Sequence, residues 1–536
     1  MKIDLLIKKG TVVDGTGNPE YRADVAVSGE RIAAVAPEIQ AEAHAVIDAE
    51  GLIVSPGFID CHSHDDGIVL HQPSCDAKVL QGVTSEVIGN CGFTLGPLPS
   101  DAKTYLRNVQ RMMGGGEMPE ELQRARSFGD YLHLLEQQPL GINLVPLVGH
   151  AAIRIAAMGW DDRPPDSDEL ERMKRLTEES MAAGAVGFSS GLIYVPATYA
   201  TTEELCALAE VVGRYHGLYA THMRSEGDRQ LEAIEEALSI GRAGGIPVHI
   251  GHHKIAGKAN WGMSAQTLAR FERARQEEGL EVTCDQYPYR AGSSYLAACL
   301  PPAFASGGPD VWAEKLKDPT VREQVIHDIE NDVGFPGDNL IRSGGFENVF
   351  ISFSSGAPEF IGRSIAEIAE ATGKRDYDVF FDLVCAEKMN VGMVVFMMDA
   401  GDIERIMKHP LTMIGSDGIP SQGSAKFHPR LTGTFPRVLG RFVRGKGVLS
   451  LPEAVRKITS LPANTFRIRQ RGLLKQGFYA DLTIFDPETI IDRGDYQNPA
   501  QSPAGIPYVI CNGQPVVSQG RITGAGSGRV LRREGG

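Results

Sequence analysis

Apolar and polar residues alternate over short distances at both ends of the chain. The stretches 3–7, 11–13, 24–27, 31–35 and 45–47, separated by polar turns, predict β-strands within residues 1–55. Segments 481–485, 507–510 and 515–517 repeat that style near the other end. A small β-sandwich assembled from residues 1–55 and 466–536 is the economical reading. From Gly524 onward the chain is rich in glycine and arginine, a composition expected of a mobile tail.

Between these ends the pattern changes to apolar strands alternating with amphipathic helices, the signature of parallel βα units. Eight candidate strands fall at 52–60, 84–89, 142–148, 185–190, 218–222, 247–252, 280–285 and 411–417. Eight predicts a closed (β/α)8 barrel of the TIM type over residues 56–465. Helix starts are visible at Thr202, before Glu203 and Glu204, and at Asp166 or Ser167, whose helix ends near Gly184. The interval between the seventh and eighth strands far exceeds the roughly 30 residues of one βαβ unit, so an inserted subdomain is expected at about 295–400.

Composition narrows the function classes. With 53 Lys and Arg against 68 Asp and Glu, the formal charge of −15 repels phosphate backbones and anionic membranes, which argues against a nucleic-acid partner. The 42% hydrophobic and 23% charged residues are ordinary for a folded protein. Eight cysteines lie singly from Cys61 to Cys511 without a CxxC pair, which fits reduced thiols in a cytoplasm. The first residues lack an uninterrupted apolar core of the signal-peptide kind, and no window approaches the roughly 18 apolar residues of a membrane span.

The sharpest chemical signal is Gly57-Phe58-Ile59-Asp60-Cys61-His62-Ser63-His64. In an extended segment, positions i and i+2 project to one side, so His62 and His64 can offer two imidazoles to one ion. Alone, that pair is weak, because such spacing arises by chance in exposed strands. Its weight comes from four more residues at expected strand ends: Cys91 after the second, His222 at the fifth, His252 at the sixth and Asp417 at the eighth. His222 and His252 are thirty residues apart, one βα repeat, which places them on adjacent strands at one height. Barrel enzymes build their sites at the C-terminal strand ends, and a nitrogen, thiolate and carboxylate set favours zinc over magnesium or calcium. His253 points to the other side of its strand, toward a helix or behind the ligands.

The motifs PGFIDCHSHDD, VTSEVIGNCG, GFSSGLIYVPATYAT, THMRSEGD, VHIGHHK, DQYPY, MIGSDG and FHPRLTGTFPRVLGR resemble the amidohydrolase superfamily, and within it the D-aminoacylase (N-acyl-D-amino-acid deacylase) family, over nearly the whole chain. Many superfamily relatives bridge two metals with a fourth-strand lysine, which this chain lacks, and the resemblance puts Cys91 in that place. It implies a tight zinc on Cys91, His222 and His252, and a second, weaker metal on His62, His64 and Asp417 sharing Cys91. It also implies Asp417 as general base and acid, with Lys254 and Arg430 holding the substrate carboxylate and Tyr287 or Tyr289 nearby. His150 and Tyr194 are candidate donors to an oxyanion. Arg290 departs from the small or neutral residue expected after Tyr-Pro-Tyr; it either recognises an acidic substrate side chain or faces water.

The implied activity is zinc-dependent hydrolysis of an N-acyl-D-amino acid to a D-amino acid and a carboxylate. A dihydropyrimidinase-like reaction on a cyclic amide or ureide would call for the missing fourth-strand lysine. A metal-free scaffold on the same fold would show eroded ligands, whereas the set is complete. The partner expected is a small molecule, and the sequence leaves the oligomeric state open.

Overall fold

The computed structural model describes residues 3–113, 118–420 and 425–533. Its centre is a sheet of eight parallel strands: β1 (Phe58–Asp60), β2 (Val83–Ile88), β3 (Asn143–Gly149), β4 (Gly187–Gly191), β5 (Tyr219–His222), β6 (Val248–Ile250), β7 (Val282–Gln286) and β8 (Thr412–Ile414). Each pairs with its sequence neighbour. Just beyond β1 and β8 the ring closes: Asp417 N donates to the His62 carbonyl at 2.7 Å and His64 N to that of Gly418 at 3.2 Å. The expected (β/α)8 barrel is therefore present. Alternate strand residues such as Val145 and Leu147 join Phe466 and Ile468 in an apolar cluster, as a packed barrel core requires.

The chain ends form one nine-stranded sheet in which Leu482–Phe485 pairs antiparallel with Ile53–Pro56. The expected single strand 52–60 is thus two. Ile53–Pro56 belongs to the terminal sheet and Phe58–Asp60 to the barrel, with Gly57 between them. A Cβ on Gly57 would stand 2.1 Å from Thr84 Oγ1, so only glycine lets the chain cross so close to β2. Between β7 and β8 sits an antiparallel sheet of Ala291–Tyr295, Gly392–Phe396 and Val349–Phe353, with Gly392–Phe396 in the middle, accompanied by helices. This insertion starts at Ala291, slightly before the expected 295.

Two local expectations are corrected. The helix Thr202–Arg214 is capped not by Thr202 but by Thr201, whose side chain accepts from Glu204 N, whereas the helix Ser167–Ala182 is capped by Asp166, one of its two expected starts, in a reciprocal capping box with Glu169. The glycine- and arginine-rich tail is docked through residue 533. Leu144 N donates to the Arg529 carbonyl at 2.8 Å and Leu531 N to that of Leu144 at 2.7 Å, while Arg532 pairs with Glu136. A Cβ on Gly528 would lie 2.0 Å from the Ile142 carbonyl oxygen, so a residue that reads as a source of flexibility serves close packing.

Candidate metal centre

Beyond the end of β1, His62 and His64 turn to the same region, their rings 5.4 Å apart. After β2, a turn entered at Gly89 carries Cys91 with φ 53°. His252 (φ 35°) and Asp417 (φ 49°) adopt the same left-handed backbone. Such conformations cost a non-glycine residue about 1–3 kcal/mol and persist where the surroundings impose them. Half of the expected ligand set is aimed inward in this way.

Cys91 Sγ is the hub. It lies 3.3 Å from His62 Nε2, 3.5 Å from His252 Nε2 and 3.9 Å from His222 Nδ1. Asp417 Oδ1 is 3.0 Å from His64 Nε2 and 3.6 Å from His62 Nε2. Three overlapping groups, His62 with His64 and Cys91, Cys91 with His222 and His252, and His62 with His252 and Asp417, each bring their ligand atoms within 4.8 Å of one another. All six residues are buried. Imidazoles, a thiol and one carboxylate converging at these distances are a donor set that suits zinc.

Electrostatics favour the charged forms that metals need. Burial opposes ionisation of Cys91, but the charge of His62 and contacts with His222, His252 and His62 prevail and hold its thiol well below the ordinary range. Burial likewise works against ionisation of Asp417. The summed pull of Arg430, His252, His64 and His62 overrides it and holds the carboxyl well below its usual value.

Two carboxylates left unassigned by the sequence brace these ligands. Asp285 Oδ2 lies 3.2 Å from His62 Nδ1 and 2.8 Å from His249 Nε2, and Oδ1 accepts the His252 backbone N–H at 2.9 Å. Glu226 Oε1 lies 2.8 Å from His252 Nδ1, and its Oε2 is 3.6 Å from His222 Nε2. Partners of this kind orient an imidazole and raise its basicity toward a metal. Asp285 ends an expected strand, as His222 and His252 do, and that position was its only signal. Glu226 follows His222 by four residues within the THMRSEGD motif.

The other expected site residues divide. Arg430 is buried, with Nη1 2.7 Å from Asp417 Oδ2 and its guanidinium 4.5 Å from the Tyr287 ring centre. Neither its Nε nor its Nη1 has an aligned hydrogen-bond acceptor. Lys254 Nζ bonds Glu226 and lies 2.7 Å from His252 Nδ1, 5.6 Å from the Tyr287 ring centre. The half-buried Tyr194 ring sits 5.0 Å edge-on to His222. Tyr289 turns away, its hydroxyl donating to the Pro429 carbonyl and its ring stacked under Arg437. His150 is fully buried 2.7 Å from Glu204 Oε1, in a network with Arg154. Arg290 is exposed and lines a separate cavity that includes none of the six expected ligands. His253 Nε2 lies 2.9 Å from Thr267 Oγ1, facing the helix Ser264–Glu277.

A closed parallel barrel with such a cluster at its C-terminal strand ends defines a metal-dependent hydrolase. The sequence profile of the amidohydrolase family matches residues 45–517, and the chain belongs to that family. It is 38% identical to a D-aminoacylase of Alcaligenes xylosoxydans xylosoxydans, covering 99% of this chain and 98% of that one. It is 38% identical to an N-acyl-D-glutamate deacylase of the same organism, covering 99% and 97%. The crystal structure of an N-acyl-D-glutamate deacylase from Bordetella bronchiseptica, complexed with zinc and a phosphonate mimic of the tetrahedral intermediate, superimposes with a TM-score of 0.85 at 36% identity, covering 99% of this chain and 100% of that one.

Proposed function

We propose that the protein hydrolyses the linear amide bond of N-acyl-D-amino acids, giving a D-amino acid and a carboxylate. The observation that carries the reading is Cys91 standing among His62, His222 and His252, where β4 offers Phe188, Ser189 and Ser190 and no lysine. The D-aminoacylase and N-acyl-D-glutamate deacylase relatives, matched end to end, support the substrate class.

Cys91, His222 and His252 would hold the tighter zinc in this reading, and His62, His64 and Asp417, with Cys91 shared, would hold a weaker second one. Bound there, zinc supplies a Lewis acid that lowers the pKa of water to about 7 and polarises the amide carbonyl. Arg430, whose Nε has no acceptor and whose guanidinium lies against Tyr287, would receive the substrate carboxylate. A carboxylate bound there competes with Asp417 for the guanidinium and leaves Asp417 a better base. Asp417 then takes a proton from the attacking water on a carboxylate oxygen. It returns that proton to the leaving nitrogen, which is too basic to depart unprotonated. Lys254 adds a second cation beside Tyr287, and Tyr194 stands at the rim of His222 as a donor to the oxyanion.

Matched N-acetyl-D- and N-acetyl-L-amino acids, assayed with zinc-supplemented protein, test this. Turnover confined to the D series supports it; turnover of the L series alone, or of neither, overturns it.

A further inference from the structure

The insertion between β7 and β8 reaches toward the metal centre through Asp338. This buried residue meets the loop that follows β5, where Glu226 stands four residues after His222. Asp338 Oδ2 accepts the Glu226 backbone N–H at 2.7 Å, and Oδ1 accepts the Ser225 hydroxyl at 2.6 Å and the Gly227 N–H at 3.1 Å. A Cβ on Gly337 would stand 1.9 Å from the Arg224 carbonyl oxygen, so glycine beside Asp338 lets the two segments meet this closely. The barrel holds Glu226 from the other direction: its carbonyl accepts from Ala256 N at 2.8 Å, in the loop beyond β6.

Glu226 is thus gripped at its backbone N–H by the insertion and at its carbonyl by the loop bearing Lys254, which fixes where its carboxylate goes. That carboxylate meets His252 Nδ1 at 2.8 Å, bonds Lys254 and stands 3.6 Å from His222 Nε2. It therefore faces two histidines of the tighter expected site and the Lys254 cation at once. A carboxylate at position 338 suits this grip because it accepts on both oxygens, whereas an amide has one accepting atom. The placement works against the charge of Asp338, since burial and the negative Glu226 both oppose its ionisation. Arg229 attaches the same segment of the insertion to the same loop by separate contacts, bonding the Phe335 carbonyl at 2.5 Å and pairing with Asp332 at 3.3 Å. Attachment of the insertion and position of Glu226 can therefore be altered independently.

We propose that Asp338 is a positioning residue for the metal centre, holding the Glu226 backbone so that one carboxylate serves His252 and Lys254 together; this rests on the zinc reading of the cluster and not on the substrate. Competition with a metal-binding dye, on the full-length protein, measures zinc affinity through a double-variant cycle. Glu226→Gln should weaken zinc binding about ten- to a hundredfold. Asp338→Asn leaves either the Glu226 N–H or the Ser225 and Gly227 donors without an acceptor and should weaken it about tenfold. Because that effect passes through Glu226, adding Asp338→Asn to Glu226→Gln should change affinity by less than about twofold more. Asp332→Asn, which cuts the neighbouring contact with Arg229, should bind zinc as wild type does. Asp338→Glu, which displaces the carboxylate by one methylene, carries the same cycle if Asp338→Asn does not fold. Unchanged zinc affinity in the Asp338 variant, a full tenfold added in the double variant, or an equal loss in Asp332→Asn each overturns the proposal. A wild type that binds no zinc overturns it together with the metal reading, whereas tight zinc without hydrolysis of N-acyl-D-amino acids counts against the deacylase reading alone.

Discussion

Arg430 Nη1 stands 2.7 Å from Asp417 Oδ2, an ion pair buried at the mouth of the barrel beside the histidines. Against burial, it helps to keep Asp417 ionised before substrate arrives. Asp417→Asn should lower kcat by at least a hundredfold while the protein retains one tightly bound zinc, because its main task is proton transfer. His252→Ala should instead lower zinc content itself. Metal analysis beside rate measurement checks both. An Asp417→Asn enzyme with most of its activity would remove the proton-transfer role.

Cys91 is expected to react with a thiol reagent faster in chelator-stripped protein than in the zinc-loaded form, since its thiol is already biased toward thiolate by His62. The other seven cysteines serve as internal controls under mass-spectrometric assignment. Equal labelling in the two forms would mean that Cys91 holds no metal.

In the proposed centre Asp285 would act on zinc through His62 and His252, which it contacts at 3.2 and 2.9 Å. Asp285→Asn should weaken zinc binding about ten- to a hundredfold, the usual effect of losing a partner behind a ligand. Competition with a metal-binding dye measures this directly, and an unchanged zinc affinity would reduce Asp285 to a packing residue.

Asp338 supplies a pH signature. Burial, with the negative charge of Glu226, pushes its carboxyl up to about 6 from 3.8, against hydrogen bonds from Ser225 and from the backbone of Glu226 and Gly227. The folded state therefore keeps this proton longer than the unfolded chain does, so the contribution of Asp338 to stability declines as pH rises from about 4 through about 6. The melting temperature of wild type relative to Asp338→Asn should be higher at pH 4 than at pH 7. A difference that grows with pH contradicts the burial argument.

Arg290 lines a cavity apart from the expected ligands, so Arg290→Ala should leave the ratio of kcat/KM for N-acetyl-D-Glu to N-acetyl-D-Met unchanged. A direct contact with an acidic side chain would instead shift the ratio roughly ten- to a hundredfold, corresponding to about 1.5–3 kcal/mol.

Period and spacing sufficed for the barrel, because a parallel sheet buried on both faces leaves apolar runs at βα intervals. The same spacing pointed to His222 and His252 as a pair on adjacent strands. What escaped depends on contacts far apart in sequence. Gly528 looks flexible until the Ile142 carbonyl is seen beside it, and segment 52–60 looks like one strand until its halves are seen pairing with different sheets. Glu226 and Asp285 are ordinary acids in a linear reading, and only the folded chain sets them behind His252. Left-handed φ at Cys91, His252 and Asp417 left no trace in composition, since the surrounding fold imposes it.

The strand Ile53–Pro56 has one further consequence, for synthesis. Ser55 Oγ donates to the Thr483 carbonyl across 428 residues of chain. The strand just before His62 and His64 pairs on one side with Ile3–Val12, made before it, and on the other with Leu482–Phe485, made long after it. Pairings this distant close slowly and leave strand edges open meanwhile. Until then one edge of that strand stays open, so the arm bearing His62 and His64, two of the six expected ligands, settles fully only after Leu482–Phe485 has been made.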